Sequence, residues 1–227
     1  MTPNILIAVP LHGSDIKIQC AVSLVALGAN LAARGMMFGV KYHSSADLIR
    51  NRNILASAAL AQPDRTHLLF VDADMEFRPE ALFRMLELAR PVIGCIYPRR
   101  KPTDSLRDFV VDLGEETRLQ VTSGATRVRG VGMGLCLIDR TVLERMVASG
   151  KVRRDELKDQ GHPIFGFFDP ITPDVSEDLS FCRRWASLCD GEVWALVDEE
   201  IGHVGETTFR AQFLDYARKT RRSSQQE

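Results

Sequence analysis

The chain has almost no net charge, no closely spaced cysteines and no long apolar run. Its 29 Lys and Arg stand against 30 Asp and Glu, a balance of -1. No global field therefore draws in nucleic acid, an anionic membrane or an acidic substrate, and any such partner must meet a local patch. The five cysteines (Cys20, Cys95, Cys136, Cys182, Cys189) are odd in number and scattered. They lack the CxxC pairs of a structural zinc site or a redox motif, so reduced core thiols in a cytoplasmic protein are expected. No apolar stretch reaches the roughly 18 to 20 residues that cross a bilayer, and no basic, apolar, small-residue leader opens the chain. Localisation is accordingly expected to be cytoplasmic. Internal repeats and linkers are also missing, so 227 residues at 45% hydrophobic content read as one domain over 1–227.

What is present is an alternation of strand-length apolar runs with helix-period segments. "ILIAVP" precedes an Ala- and Leu-rich stretch over 18–33, "MMFGVKY" precedes 46–61, and "HLLFVDAD" precedes a helix opened by Pro79 and running to 88. "PVIGCIY" follows. Strands apolar on both faces, each followed by a helix, predict a Rossmann-like α/β fold: a mostly parallel central sheet between helices. The second half predicts a small antiparallel region from "DFVVDL", "RLQVT" and "GVGMGLCLID", with a short helix over 140–148. A long loop over 150–173, a helix over 176–188, the strand "EVWALVD" and the segment "IGHVGE" come next. Residues 211–227 read as a solvated tail.

"LLFVDADMEF" ends a buried strand in two carboxylates. Side chains alternate along a strand, so Asp72 and Asp74 face the same way if the extension persists that far. The carboxyl edge of a parallel sheet is where ligands bind in open α/β folds. Two like charges there repel unless a cation neutralises them, and hard oxygen ligands suit magnesium or manganese. The alternative is structural: Asp72 caps a turn and Asp74 the helix after it.

"THLLFVDADMEFRPEAL" resembles the DxD segment of nucleotide-sugar-dependent glycosyltransferases of the GT-A fold, bacterial and phage glycosyltransferase-2-like members included. "ILIAVPLHG" is similar to that family's first strand and nucleotide-binding loop, "LIRNRNILAS" to its Arg- and Asn-bearing helix, and "GVGMGLCLIDRTVLERM" to its glycine-rich acceptor-side segment. "SEDLSFCRRW" resembles the ED helix beside the reacting sugar, and "IGHVGE" the late histidine. The resemblance implies a GT-A domain with a nucleotide-sugar-binding half (1–100) and an acceptor and catalytic half (101–210). It implies a divalent cation held by Asp74 and His203, with Asp72 on the ribose or reaching the metal through water. A neutral imidazole ligand favours manganese over magnesium.

The donor side would be formed by Pro10, His12 and Gly13 at the end of the first strand, by Asp72 and Ala73, and by Arg50, Arg52, Asn53 and Arg99. Arg100 is a further candidate for a diphosphate contact. Gly132 and Gly134 allow close backbone approach to a sugar, and Phe165, Phe167 and Phe168 form an apolar surface. By the same resemblance Asp178 would be the general base for the acceptor and Glu177 would position acceptor or sugar. The activity implied is transfer of a sugar from a nucleoside diphosphate donor, UDP-linked, to a hydroxyl acceptor: a glycan, a small molecule or a modified nucleic-acid base. Two other readings are a nucleotidyltransferase, against which "PLHGSD" lacks the usual glycine-rich basic loop, and a nucleic-acid-binding module using "YPRRK" and "RKTRR" with a vestigial acidic site.

Overall fold

The structure is a computed structural model that describes residues 2–101, 105, 108–114, 119–156, 161–215 and 217–218. The amino-terminal half runs β1 (Asn4–Leu11), α1 (Ile18–Ala33), β2 (Met37–Ser44), α2 (Leu48–Leu60), β3 (His67–Val71), β4 (Met75–Glu76), α3 (Glu80–Leu88) and β5 (Val92–Cys95). Then follow β6 (Val111–Asp112), β7 (Ala125–Val128), β8 (Gly130–Val131), β9 (Leu135–Asp139), α4 (Arg140–Ala148), β10 (Arg154–Asp155) and β11 (Ile164–Phe165). The last elements are α5 (Glu177–Cys189), β12 (Val193–Leu196), β13 (Glu200–Val204) and β14 (Thr208–Gln212).

One sheet organises these elements, in the order β2-β1-β3-β9-β5-β12-β7. β1, β2, β3, β5 and β12 run one way, and β9 and β7 run against them. The doubly wound half expected from the sequence therefore takes in strands from the second half, and β9 lies between β3 and β5. Alternation of side chains divides the core into two. Leu6, Ala8, Leu68 and Phe70 face α2, α4 and α5 through Leu55, Val142, Met146, Phe181 and Trp185. Ile5, Ile7, Val9, Leu69 and Val71 face α1 and α3 through Leu27, Leu31, Leu82 and Met85. Each large side chain buried in this way contributes on the order of 1.5–3 kcal/mol, so both sheet faces are strongly specified.

Three local signals set the helix starts. Asp47 accepts from the Arg50 amide at 3.0 Å, Asp139 from the Thr141 amide at 2.8 Å, and Ser176 from the Leu179 amide at 3.5 Å. The expected continuous strand over 130–139 is broken instead at 132–134, where two glycines interrupt it. "RLQVT" forms no strand among the described residues, where Thr122 makes only an isolated bridge to Ala125. The loop expected over 150–173 contains the antiparallel pair β10–β11, in which Arg154 faces Phe165. The tail expected over 211–227 is not wholly solvated, because β14 runs to Gln212 and Phe213 is buried edge-on against Phe109 at 5.2 Å; residues 216 and 219–227 lie outside the described residues.

A second small sheet, β14-β13-β4, sits at the carboxyl end of β3. Its register sets His203 opposite Met75 and Gly202 opposite Glu76. This pairing carries a late segment of the chain to the acids that follow β3.

Candidate active site

The first two turns of α2 carry three consecutive buried polar residues, Asn51, Arg52 and Asn53. Polar groups are seldom so deeply buried without partners, and here every one is engaged. The Asn51 amide donates to the carbonyls of Leu11 (2.8 Å) and Ser45 (3.1 Å), and its oxygen lies 2.7 Å from His43 Nδ1. Asn53 accepts from the Phe168 amide and donates to Asp169, both at 2.8 Å. These two asparagines fasten the loops on either side, and the first turns of the helix hold Arg52 rigidly between them.

Arg52 is 1% exposed and faces three carboxylates. Its terminal nitrogens approach Asp72 at 3.1 and 3.2 Å, while Nε lies 3.3 Å from Asp178 and 3.5 Å from Glu177. Its ring-side face packs on Phe70, 5.4 Å from the centroid. Asp72, Asp178 and Glu177 push the guanidinium pKa upward against the opposing effect of burial, so the charge is permanent. Arg52 Nη1, Asp72 Oδ1 and Asp178 Oδ1 are buried within this cluster without a well-formed hydrogen bond. They face charged partners within the cluster all the same, Nη1 lying 3.1 Å from Asp72 Oδ1 and Asp178 Oδ1 3.3 Å from Nε.

Asp178 occupies the first turn of α5, with Oδ2 accepting from the Met133 amide at 3.0 Å. Burial pushes its carboxyl up to about 7; Glu177 and Asp72 add to the rise, and Arg52 and the Met133 amide oppose it. The Gly132–Met133–Gly134 backbone reaches Asp178 because Tyr97 closes over it, its hydroxyl accepting from the Gly134 amide at 3.1 Å. A Cβ at either glycine would collide with the Tyr97 ring or hydroxyl, and one at Gly132 also with Val110. Gly132→Ala is accordingly expected to destabilise by about 1–3 kcal/mol in thermal melts. Part of that loss should be recovered in a Tyr97→Phe background, and an equal loss in both backgrounds would remove Tyr97 as the cause.

Asp72 and Asp74 do not share a side. β3 ends at Val71, and the Met75 amide folds back onto the Asp72 carbonyl at 3.1 Å, so a turn replaces the extension on which the sequence expectation depended. Asp72 turns to Arg52, while buried Asp74 turns to His203, whose Nε2 lies 3.5 Å from Asp74 Oδ2. His203 Nδ1 sits 2.9 Å from the Pro98 carbonyl, so it carries the proton and Nε2 presents its lone pair. Burial lowers the His203 pKa, with the Arg100 charge reinforcing this against a pull upward from Pro98, which keeps the ring neutral near pH 7. Arg100 bridges the two groups: its Nη2 pairs with Asp74 and its Nε donates to His203 Nε2 at 3.1 Å.

The fold matches a known architecture. The chain is similar to A197 from STIV over 89% of its length and 86% of that protein's, at 17% identity and a TM-score of 0.55. It is similar to GalNAc-T7, in a structure with UDP, GalNAc and Mn2+, over 90% of its length at 13% identity and a TM-score of 0.54. The chain has the GT-A fold. It spans 44% of the GalNAc-T7 chain, and no protein-family model or curated protein matches its sequence.

On the GT-A frame the acids at the end of β3 and at the start of α5 meet at Arg52, and the β13 histidine meets Asp74. Among the described residues no three His, Cys, Asp or Glu side chains converge as a complete metal site. Asp74 and His203 nevertheless offer one oxygen and one nitrogen donor to a position already taken by a positive charge. That donor pair is chemically suited to a divalent cation.

The other donor-side candidates lie further out. Pro10 is buried at the end of β1 beside His43, and His12 and Gly13 are exposed in the loop after it, Gly13 with a φ of 77° and its carbonyl accepting from Ser44. The Ala73 carbonyl accepts from the Lys17 amide at 2.8 Å. The side chains of Arg50 and Arg99 are exposed. Of the basic segments, "YPRRK" turns Arg100 to Asp74 and Lys101 to Asp108, and in "RKTRR" only Arg218 is described, 3.9 Å from Asp215. Phe167 and Phe168 are core residues, Phe168 stacking on Phe181 at 4.7 Å.

Tyr97, Asn51 and the Met133 amide were not legible as site components. Tyr97 looks like the end of a strand, and a backbone amide carries no sequence signature at all. The paired glycines around Met133 were the one available clue.

Proposed function

We propose that this protein is a divalent-metal-dependent glycosyltransferase that moves a sugar from a nucleoside diphosphate donor, UDP-linked, to a hydroxyl acceptor. One observation carries the reading. Asp74 and His203 Nε2 meet around a positive charge at the carboxyl edge of the sheet, on the same rim as a buried carboxyl raised to about 7. The likeness to GalNAc-T7, whose structure holds UDP, GalNAc and Mn2+, supports the choice of ligands.

Electrostatics gives a reason for the metal. Arg52 is shared among three carboxylates, Asp72, Glu177 and Asp178, so it has little charge to spare for a diphosphate. A divalent cation held by Asp74 and His203, manganese before magnesium because of the imidazole, would neutralise the departing diphosphate as a Lewis acid. Asp72, fixed by Arg52, faces the donor and borders the same rim. Asp178 takes the acceptor proton, and its elevated pKa places it where a general base operates at neutral pH. Oδ2 is held by the Met133 amide and Oδ1 faces Arg52 Nε at 3.3 Å, so taking up the acceptor proton requires that contact to loosen. Glu177, beside it on the same helix turn, positions acceptor or sugar.

Calorimetric titration with UDP in the presence and absence of manganese tests the donor site. Metal-dependent UDP binding is expected for the native chain, and at least tenfold weaker binding for Asp74→Asn, whose fold should persist. Undiminished metal-dependent affinity in that variant would refute the assignment. Incubation with UDP-sugars should release UDP; release of pyrophosphate from a nucleoside triphosphate would favour nucleotidyl transfer instead.

A further inference from the structure

Arg100 stands where the proposed cation would stand. Its guanidinium joins Asp74 and His203 Nε2 at once and holds the two donors close together. Arginine cannot surrender its charge by deprotonation, so a cation can enter only if the guanidinium moves away.

The surroundings favour such a movement. The Arg100 side chain is 55% exposed, in contrast to Arg52 at 1%, so its departure opens no core. The backbone beside it is tied by the Arg99 amide to the Asp108 carbonyl at 2.7 Å, so the side chain alone can swing. His203 stays aimed after Arg100 leaves, because Pro98 holds Nδ1 and the ring packs edge-on against Tyr97 at 5.5 Å. The backbone at Asp74 is likewise anchored, its carbonyl accepting from the Val204 amide at 2.8 Å.

We infer that Arg100 is a resident counter-ion that competes with the divalent cation for Asp74 and His203 and yields the position when a nucleoside diphosphate arrives. The inference rests on the metal-dependent reading above. Displaced into solvent, the guanidinium loses a carboxylate partner; displaced toward a diphosphate, it gains one of matching geometry. Metal and diphosphate therefore bind better together than separately, and by linkage each strengthens the other by the same factor. If Arg100 occupies the position about nine-tenths of the time, the affinity for metal alone falls about tenfold.

The test is a thermodynamic cycle on the full chain, with manganese affinity read by calorimetry or by the free-ion resonance signal, with and without UDP. Arg100→Gln removes the competitor and is expected to tighten manganese binding without UDP by roughly tenfold. With UDP present its affinity should equal the native value or fall below it, so that the enhancement by UDP largely disappears. Equal tightening with and without UDP would mean a simple loss of nearby positive charge, and would overturn the inference. Unchanged or weaker binding of manganese alone would overturn it too, while native metal binding in the presence of UDP left the functional reading intact. Failure of manganese to bind either protein, even with UDP, would overturn both.

Discussion

Arg52→Ala is expected to destabilise the fold by about 3–5 kcal/mol, the range for removing one partner from a buried ionic cluster. Three carboxylates, Asp72, Glu177 and Asp178, would then face one another with no counter-ion and with little access to water. Their repulsion is relieved only by taking up protons, so the deficit should be largest near pH 8 and shrink as pH falls toward the ordinary carboxylate range near about 4. Arg52→Lys keeps the charge but loses the fork that reaches Asp72 and α5 together, so an intermediate loss is expected. Denaturant midpoints at pH 8 and pH 5 provide the measurement. An alanine variant within about 1 kcal/mol of the native protein at pH 8 would show that water already screens the cluster.

Asp178→Asn should lower turnover by about 10²–10⁴-fold, the usual contribution of a general base, while metal-dependent UDP binding survives. In the native enzyme, turnover under chemistry-limited conditions should rise as pH passes through about 7, where burial has placed the carboxyl. The variant should lose that inflection. Stability should move in the opposite sense. A carboxyl whose folded pKa exceeds its unfolded value contributes most below the unfolded value, and that contribution is lost as pH rises through the folded one. With folded Asp178 at about 7, asparagine should therefore gain stability over the native chain at pH 8 and not at pH 4. Asparagine can still accept from the Met133 amide, so a gain is not masked by a lost hydrogen bond. Native turnover in the variant would remove Asp178 from catalysis. A loss of activity accompanied by equal destabilisation at both pH values would assign it a structural role.

These two residues show how unevenly a site is written into a sequence. The place of Asp178 in a first helical turn is legible from Ser176 as the cap, and its role as base only from the family resemblance; the structure begins α5 at Glu177. Arg52 was legible as a candidate for phosphate, yet the structure commits it to carboxylates and buries it, an outcome that depends on α2 and α5 packing on the same sheet face. Asn53 looked equally like a donor-side residue, and both ends of its amide are occupied by the loop at Phe168 and Asp169. An unbroken strand would point Asp72 and Asp74 the same way, and a single turn hydrogen bond sends them to different partners.

The sequence by itself determined the alternation of apolar strands with capped helices, and with it the mostly parallel sheet, because periodicity and capping are local properties of neighbouring residues. It also placed acids at the end of β3 and the start of α5, since strand ends and first helical turns are marked by nearby residues; their roles came only from the family resemblance. Tertiary structure alone decided that β9 runs between β3 and β5, that β13 pairs with β4 to carry His203 to Asp74, and that Arg100 fills the space between them. Those outcomes come from contacts between segments far apart in the chain. Their energies depend on which surfaces meet, and no short window of residues contains that information.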